Sequence, residues 1–150
     1  MFNDLTWKDS ERKVQEYMRN KGFKIVETNF SCVGVELDIV SILSKSQQKK
    51  RMRSDTKRRM IEDRPHRKVY KNSYKNALKE LTDLLVITEV KGRVNDRFGK
   101  GVEAVTEQKR HNIIRGARYL QKDERFNNCQ IRFDVASVDN GEITYIENAF

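Results

Sequence analysis

Two carboxylates and a lysine lie within apolar segments of the chain, where charged side chains are unexpected. Asp38 lies in the run VELDIV, and Glu89 and Lys91 lie in the run LLVITEVK. Because burying an isolated charge is costly, such groups either pair with one another or coordinate a metal ion. Carboxylate oxygens suit Mg²⁺ or Mn²⁺, and a neighbouring lysine can orient a water molecule or neutralise charge on a phosphate. This combination of residues is suited to phosphodiester hydrolysis.

Strand geometry extends the candidate set by one acid. In a β-strand, side chains two positions apart share a face, so Glu36 is predicted to lie beside Asp38, and Glu89 beside Lys91. Glu36 is therefore a third candidate metal ligand. A plain ion pair between Lys91 and one of these acids is the alternative, and spacing alone leaves both interpretations open.

Charged residues also interrupt the apolar stripes of two predicted helices. Glu11 falls on the stripe of a helix over residues 7–21, and Lys109 on that of a helix over residues 102–121. Glu11 would alternatively interact with the helix N-terminus, and Lys109 would alternatively extend from the edge of its stripe into solvent. The two histidines have no evident partner for a nucleophilic triad.

Hydrophobic periodicity predicts an α/β protein. The 150 residues and 17.8 kDa favour one domain over residues 1–150. Turns are predicted at residues 99–101 and 139–141. Besides the two helices, five strands are predicted, over residues 23–30, 32–43, 84–91, 130–138 and 142–146. The order α-β-β-β-α-β-β includes a parallel crossover, so we expect a mixed sheet flanked by helices.

Residues 44–80 form a basic insertion between the second and third strands. They contain 14 lysines and arginines but only 4 aspartates and glutamates, a net charge of +10 against +9 for the whole chain. Such a segment can bind the phosphates of a nucleic acid without sequence specificity. The alternative is a solvated charged loop with helical stretches near 54–62 and 73–82. The insertion leaves the strands that carry the metal candidates, so we expect it to hold a bound strand across them. Its candidate nucleic-acid contacts are Lys50, Arg51, Lys57, Arg58 and Arg59.

Several other classes of protein are excluded by the sequence. No apolar run approaches the roughly 18 residues that span a bilayer, and the N-terminus lacks a secretory leader, so we expect a cytoplasmic protein without membrane contact. Cys32 and Cys129 are too few and too far apart for a disulfide framework or a zinc site.

Short motifs from both ends of the chain, outside the insertion, occur in a characteristic order. They are Glu11 with Val14, Tyr17 and Met18; Gly22-Phe23-Lys24-Ile25; Asn29-Phe30; Val35-Glu36-Leu37-Asp38-Ile39-Val40; Thr88-Glu89-Val90-Lys91-Gly92-Arg93; Phe98-Gly99; Val105; Lys109; Ala117 with Tyr119-Leu120; Arg132-Phe133-Asp134-Val135; and Asn148-Ala149-Phe150. In this order the chain resembles the YraN-like family of small, largely uncharacterised bacterial proteins. That family has a restriction-endonuclease-like fold and is similar to the archaeal Holliday junction resolvases.

The resemblance implies a PD-(D/E)xK nuclease core with Mg²⁺ or Mn²⁺ as cofactor. It makes Asp38 and Glu89 metal ligands, Lys91 the catalytic lysine and Glu11 an accessory acid. The expected substrate is DNA, including branched DNA. A homodimer is a further expectation, because symmetric cutting of two strands suits a two-fold assembly.

The chain departs from the family pattern in three places. Its glycine before the first acidic motif is one position early, at Gly34, and the insertion replaces a short connection. Gly92 stands where the family usually has threonine, next to Arg93, a candidate phosphate contact together with Lys109. A non-catalytic nucleic-acid-binding protein of DNA repair or recombination, or an RNA-binding protein, is the alternative function.

Overall fold

The computed structural model describes residues 7–93 and 105–150. The helices and strands of these residues follow the predicted order, with a helical hairpin added between the second and third strands. In chain order they are α1 (Trp7–Asn20), β1 (Lys24–Cys32), β2 (Val35–Leu43), α2 (Lys45–Glu62), a 3₁₀ turn (Arg64–His66), α3 (Arg67–Glu80), β3 (Leu84–Arg93), α4 (Glu107–Leu120), β4 (Gln130–Asp139) and β5 (Glu142–Ile146).

The five strands form one mixed sheet in the order β1-β2-β3-β4-β5. β3 and β4 are parallel, and the other neighbouring strands are antiparallel. Val14 and Met18 of α1 pack on one face of the sheet, and Ile113 and Ala117 of α4 pack on the other. The predicted fold class, a mixed sheet flanked by helices, is confirmed.

The start of α4 differs from the sequence prediction. The helix begins at Glu107 instead of 102, because the side chain of Thr106 accepts a hydrogen bond from the backbone N–H of Lys109 and caps the first turn. The buried Val105 precedes the helix. The predicted turn at 99–101 and residues 102–104 lie outside the described residues.

The turn between β1 and β2 also lies later than predicted. Both strands extend to a two-residue turn at Val33 and Gly34, whose φ angles are 45° and 74°. Positive φ at both positions is what a type I′ hairpin turn requires. The sequence analysis had placed Val33 inside a strand, because its branched side chain favours one; the structure leaves it 49% exposed.

The basic insertion is more helical than predicted. Its helices start earlier, at Lys45 and Arg67. The first start is fixed by Ser44, which caps α2 by accepting from the N–H of Gln47. At the bend, the carboxylate of Asp63 accepts a hydrogen bond from the hydroxyl of Tyr70 at 2.6 Å. No residue of α2 or α3 is buried.

The described helices include none that is long and apolar enough to cross a membrane.

Candidate active site

The regular alternation of β2 breaks at Asp38. The backbone pairing of β2 with β3 runs from Leu43 opposite Leu84 to Ile39 opposite Thr88. Beyond that point the N–H of Val90 donates to Oδ2 of Asp38 at 2.8 Å. The aspartate side chain therefore supplies the hydrogen-bond acceptor for β3 where the backbone ladder ends.

This break corrects the predicted faces of β2. Alternation would place Leu37 and Ile39 on one face. In the structure Leu37 packs with Val40 on the α4 side, whereas Ile39 packs on the α1 side. Asp38 lies where the strand changes which side chains face α1 and α4, and it is buried.

Glu89 lies between two lysines. Its Oε1 is 3.4 Å from Nζ of Lys91 and 3.3 Å from Nζ of Lys109, and its side chain is only 4% exposed. Strand spacing had placed Lys91 beside Glu89. Lys109 was predicted as a nucleic-acid contact, and the structure brings it from α4 onto the same carboxylate.

The carboxyl groups of Asp38 and Glu89 are close enough to interact. The pKa of Asp38 is raised to about 7, mainly by burial and secondly by the charge of the neighbouring Glu89. The N–H of Val90 and the charge of Lys109 oppose that rise. Near neutral pH, therefore, Asp38 is close to half protonated, and the two acids repel each other whenever both are ionised.

Glu11 is a buried residue of α1. Its Oε2 accepts a hydrogen bond from the side-chain amide of Asn29 at 3.1 Å, while its Oε1 is buried without a hydrogen-bond partner among the described residues. Asn29 has a φ of 48°, a conformation that asparagine tolerates better than most residues. In the register of β1 and β2 it lies between Thr28, which is opposite Ile39, and Phe30, which is opposite Leu37. Sequence analysis named Asn29 only as part of a family motif and gave it no role, because its contact with Glu11 joins residues 18 positions apart.

The donor set of Asp38 and Glu89 fits a hard divalent cation. Mg²⁺ is commonly held by one or two carboxylates together with water and substrate oxygens. Within residues 7–93 and 105–150, no three His, Cys, Asp or Glu side chains are grouped closely enough to hold a metal ion. Glu11 and Glu36 are thus not grouped with the pair, and Glu36 is exposed opposite Ser31.

Gly92 allows the start of α1 to approach the site. A Cβ added at Gly92 would lie 2.9 Å from Oγ of Ser10, so a larger residue would require α1 to shift. Trp7 lies beside the same glycine and is 46% exposed. Arg93 ends β3, and its side chain is outside the described part of the structure.

The helical hairpin joins the sheet at the opposite end from this site. It connects Leu43 to Leu84, whereas Glu89 lies five residues farther along β3, roughly 17 Å at the usual rise of a strand. The insertion does leave the two strands that carry Asp38 and Glu89, but at the end of those strands away from the two acids. That it holds a bound strand across the acids stays a prediction.

The base of the hairpin is fixed to the body of the protein. The side-chain amide of Gln48 donates to the backbone carbonyls of Leu43 and Thr82, at 3.1 and 2.6 Å. Arg51, a predicted nucleic-acid contact, forms an ion pair with Glu147 at 2.6 Å. The other candidates on α2, Lys50, Lys57, Arg58 and Arg59, are exposed, and Arg58 lies 3.6 Å from Asp55.

Fold and site together define an open, mixed α/β protein with a buried carboxyl pair and two lysines where its central strands separate. The chain belongs to the uncharacterised protein family UPF0102, whose model matches residues 10–138. The family expected from the sequence motifs is thereby confirmed.

Relatives named UPF0102 proteins match along most of their length. One from Persephonella marina is 26% identical over 150 residues, covering 100% of this chain and 97% of the relative. One from Sulfurihydrogenibium sp. is 29% identical over 140 residues, covering 93% of this chain and 89% of the relative. One from Pseudomonas fluorescens is 25% identical over 146 residues, covering 95% of this chain and 90% of the relative.

Proposed function

We propose that this protein is a metal-dependent nuclease that hydrolyses DNA phosphodiester bonds, including those of branched DNA. The observation that carries the proposal is the buried pair of Asp38 and Glu89, with Lys91 at 3.4 Å from Glu89. Two adjacent buried acids destabilise the ionised protein, and a divalent cation between them removes that repulsion.

Asp38 and Glu89 would hold Mg²⁺ or Mn²⁺. Bound there, the metal would polarise the phosphate, acidify a water molecule and stabilise the leaving oxygen. The N–H of Val90 holds the carboxylate of Asp38 in place by its hydrogen bond. The ammonium of Lys91 contacts Glu89, and the side chain is 24% exposed. It can therefore reach a water molecule or a phosphate from solvent.

Lys109 has a supporting role in this proposal. It approaches Glu89 from α4, whereas Lys91 lies on β3 with Glu89, and it is 38% exposed. Its ammonium pairs with Glu89 at 3.3 Å and can turn to the phosphate of a bound strand. The buried Glu11 is only an accessory acid in this proposal, since its Oε2 is held by the amide of Asn29 and it is not grouped with the carboxyl pair.

A non-catalytic role in DNA repair or recombination, or in RNA binding, is the second candidate. The observation that favours it is the hairpin, where every lysine and arginine except Arg51 is exposed. Such a surface binds phosphates without any chemistry at Asp38. A homodimer would suit either function, and two-fold symmetry would present two sites to a four-way junction.

Incubation with labelled DNA tests the proposal. Single-stranded, duplex, flap and four-way-junction DNA are each mixed with the protein in Mg²⁺ or Mn²⁺, with Asp38→Ala/Glu89→Ala as the inactive comparison. Glu124→Gln, which changes an exposed acid, is the matched control. We expect cleavage by the native protein and the control only. Equal binding without cleavage by all three would favour the accessory role.

A further inference from the structure

We infer that a groove between α2 and α3 binds a single-stranded segment of nucleic acid, with a base on its floor and phosphates on its rim. This hairpin groove has a volume of about 480 Å³. Its lining residues are Arg53, Thr56, Lys57, Met60, Ile61, Arg67, Lys71 and Tyr74.

The rim of the hairpin groove is cationic on both sides. Arg53 and Lys57 come from α2, Arg67 and Lys71 come from α3, and all four are exposed. Within each pair the residues are four positions apart, so each pair lies along one face of its helix. The described residues that line the groove include no acid. The arrangement is complementary to a phosphate backbone that runs between the two helices.

The floor of the hairpin groove is apolar and aromatic. Met60 and Tyr74 are half-buried, and Ile61 remains 59% exposed although it is a large apolar residue. A base with a free face can stack on such a floor, whereas a duplex keeps its base faces covered. The combination of apolar floor and cationic rim therefore favours a single strand over a duplex.

A second groove between the same two helices lacks this combination. It shares Thr56 and Tyr74 with the hairpin groove, but it is also lined by the acid Asp55 and by a single cation, Arg59. A polyanion would meet a mixed surface there. The two grooves thus differ in the charge they offer.

The hairpin groove is a second contact region, separate from the carboxyl pair. The hairpin leaves the sheet at the Leu43–Leu84 end, where Gln48 fixes its base. A strand held in the groove would approach the body of the protein from that end. The inference rests on the proposed function in one respect, that the ligand is a nucleic acid; it does not require hydrolysis.

Binding of a fluorescently labelled 15-residue oligothymidylate, measured by anisotropy in EDTA, tests the inference. The groove variant is Arg53→Gln/Lys71→Gln, and the charge-matched control is Lys75→Gln/Lys79→Gln, which alters α3 outside both grooves. Loss of two phosphate contacts lowers the slope of log affinity against log salt by about 1.4 for a single strand. We expect that change and about a tenfold loss of affinity in the groove variant, with the control close to native.

Tyr74→Leu separates stacking from charge. It keeps an apolar floor but removes the ring, so we expect about a fivefold loss for the oligonucleotide and no change for inorganic tripolyphosphate. Circular dichroism shows whether each variant keeps its helices. Equal losses in the groove and control variants would overturn the inference, because the whole hairpin would then act as a diffuse charge.

Three further outcomes would overturn it as well. One is tighter binding of a duplex than of the single strand. Another is concentration-dependent dimerisation, measured by sedimentation, that the groove variant abolishes, since the occupant would then be a second copy. The third is binding of an acidic peptide in place of the oligonucleotide.

The cleavage assay distinguishes failure of this inference from failure of the proposed function. Metal-dependent cleavage together with native-like binding by the groove variant would refute the binding groove and support the nuclease. Binding that depends on the groove, by a protein that cuts no DNA, would support the binding groove and refute the nuclease.

Discussion

The backbone N–H of Val90 donates to the carboxylate of Asp38 at 2.8 Å, just beyond the last backbone pair of β2 and β3. The side chain of Asp38 thus accepts the hydrogen bond that a backbone carbonyl accepts elsewhere in the sheet. The contact holds Asp38 beside Glu89 at the point where the two strands separate. Position in the sheet and candidate chemistry therefore depend on the same hydrogen bond.

Replacement of Asp38 by asparagine should change the pH dependence of stability. The pKa of Asp38 is about 7 in the folded protein against an ordinary 3.8, so ionisation costs folding free energy as pH rises between these values. Asparagine keeps an acceptor for Val90 and removes the charge. In EDTA, urea unfolding should show Asp38→Asn gaining at least about 1 kcal/mol over the native protein between pH 4 and pH 8. The same difference at both pH values would contradict the assignment.

Removal of Lys109 should raise the pKa of Asp38 further. The charge of Lys109 lowers that pKa, and Glu89 loses one of its two cations in Lys109→Met. Carbon-detected NMR of the aspartate carboxyl, titrated without metal, measures the change. Lys122→Met, on an exposed side chain, is the control and should leave the titration unchanged. An unchanged or lower pKa in Lys109→Met would show that the pairing does not persist in solution.

Replacement of Val33 by asparagine should stabilise the protein. Val33 has a φ of 45°, which is strained for a β-branched residue, and it precedes Gly34 in the β1–β2 turn. Asparagine followed by glycine is the preferred pair for this turn, so we expect a gain of about 1 kcal/mol in thermal or urea unfolding. Val33→Ala retains the strained geometry without that preference and should gain less. A loss of stability in Val33→Asn would indicate a different turn.

Removal of Arg132 should destabilise the fold. Its guanidinium forms two hydrogen bonds, at 2.9 and 2.8 Å, with Asp134, which is fully buried. Arg132→Met leaves that carboxylate without its cation, at a cost of about 2–4 kcal/mol in urea unfolding. Arg125→Met breaks an exposed pair with Asp123 and should cost less than about 1 kcal/mol. Similar losses in both variants would show that burial of Asp134 matters little.

Local patterns were sufficient to predict the sheet and its flanking helices. β3 is apolar on both faces because it is central, and its alternation placed Lys91 beside Glu89 correctly. Asparagine and glycine at positions 140 and 141 predicted the last turn, and both have positive φ. These features depend on neighbours in the chain, so the sequence carries them directly.

The remaining features depend on contacts distant in sequence. The switch of faces at Asp38 arises because its partner is the N–H of Val90, 52 positions away. Lys109 reaches Glu89 only after α4 has packed on the sheet. The hairpin helices were only partly predicted because they bury no residue and so carry little hydrophobic periodicity.

Titration of the protein with Mn²⁺, followed by isothermal calorimetry, tests most directly whether the Asp38–Glu89 pair is a metal site. Asp38→Asn/Glu89→Gln keeps the size of both side chains, and Glu124→Gln is the matched control. We predict saturable binding of Mn²⁺ by the native protein and the control, lost in the double variant. Equal binding by the double variant, or no binding by the native protein, would contradict the site.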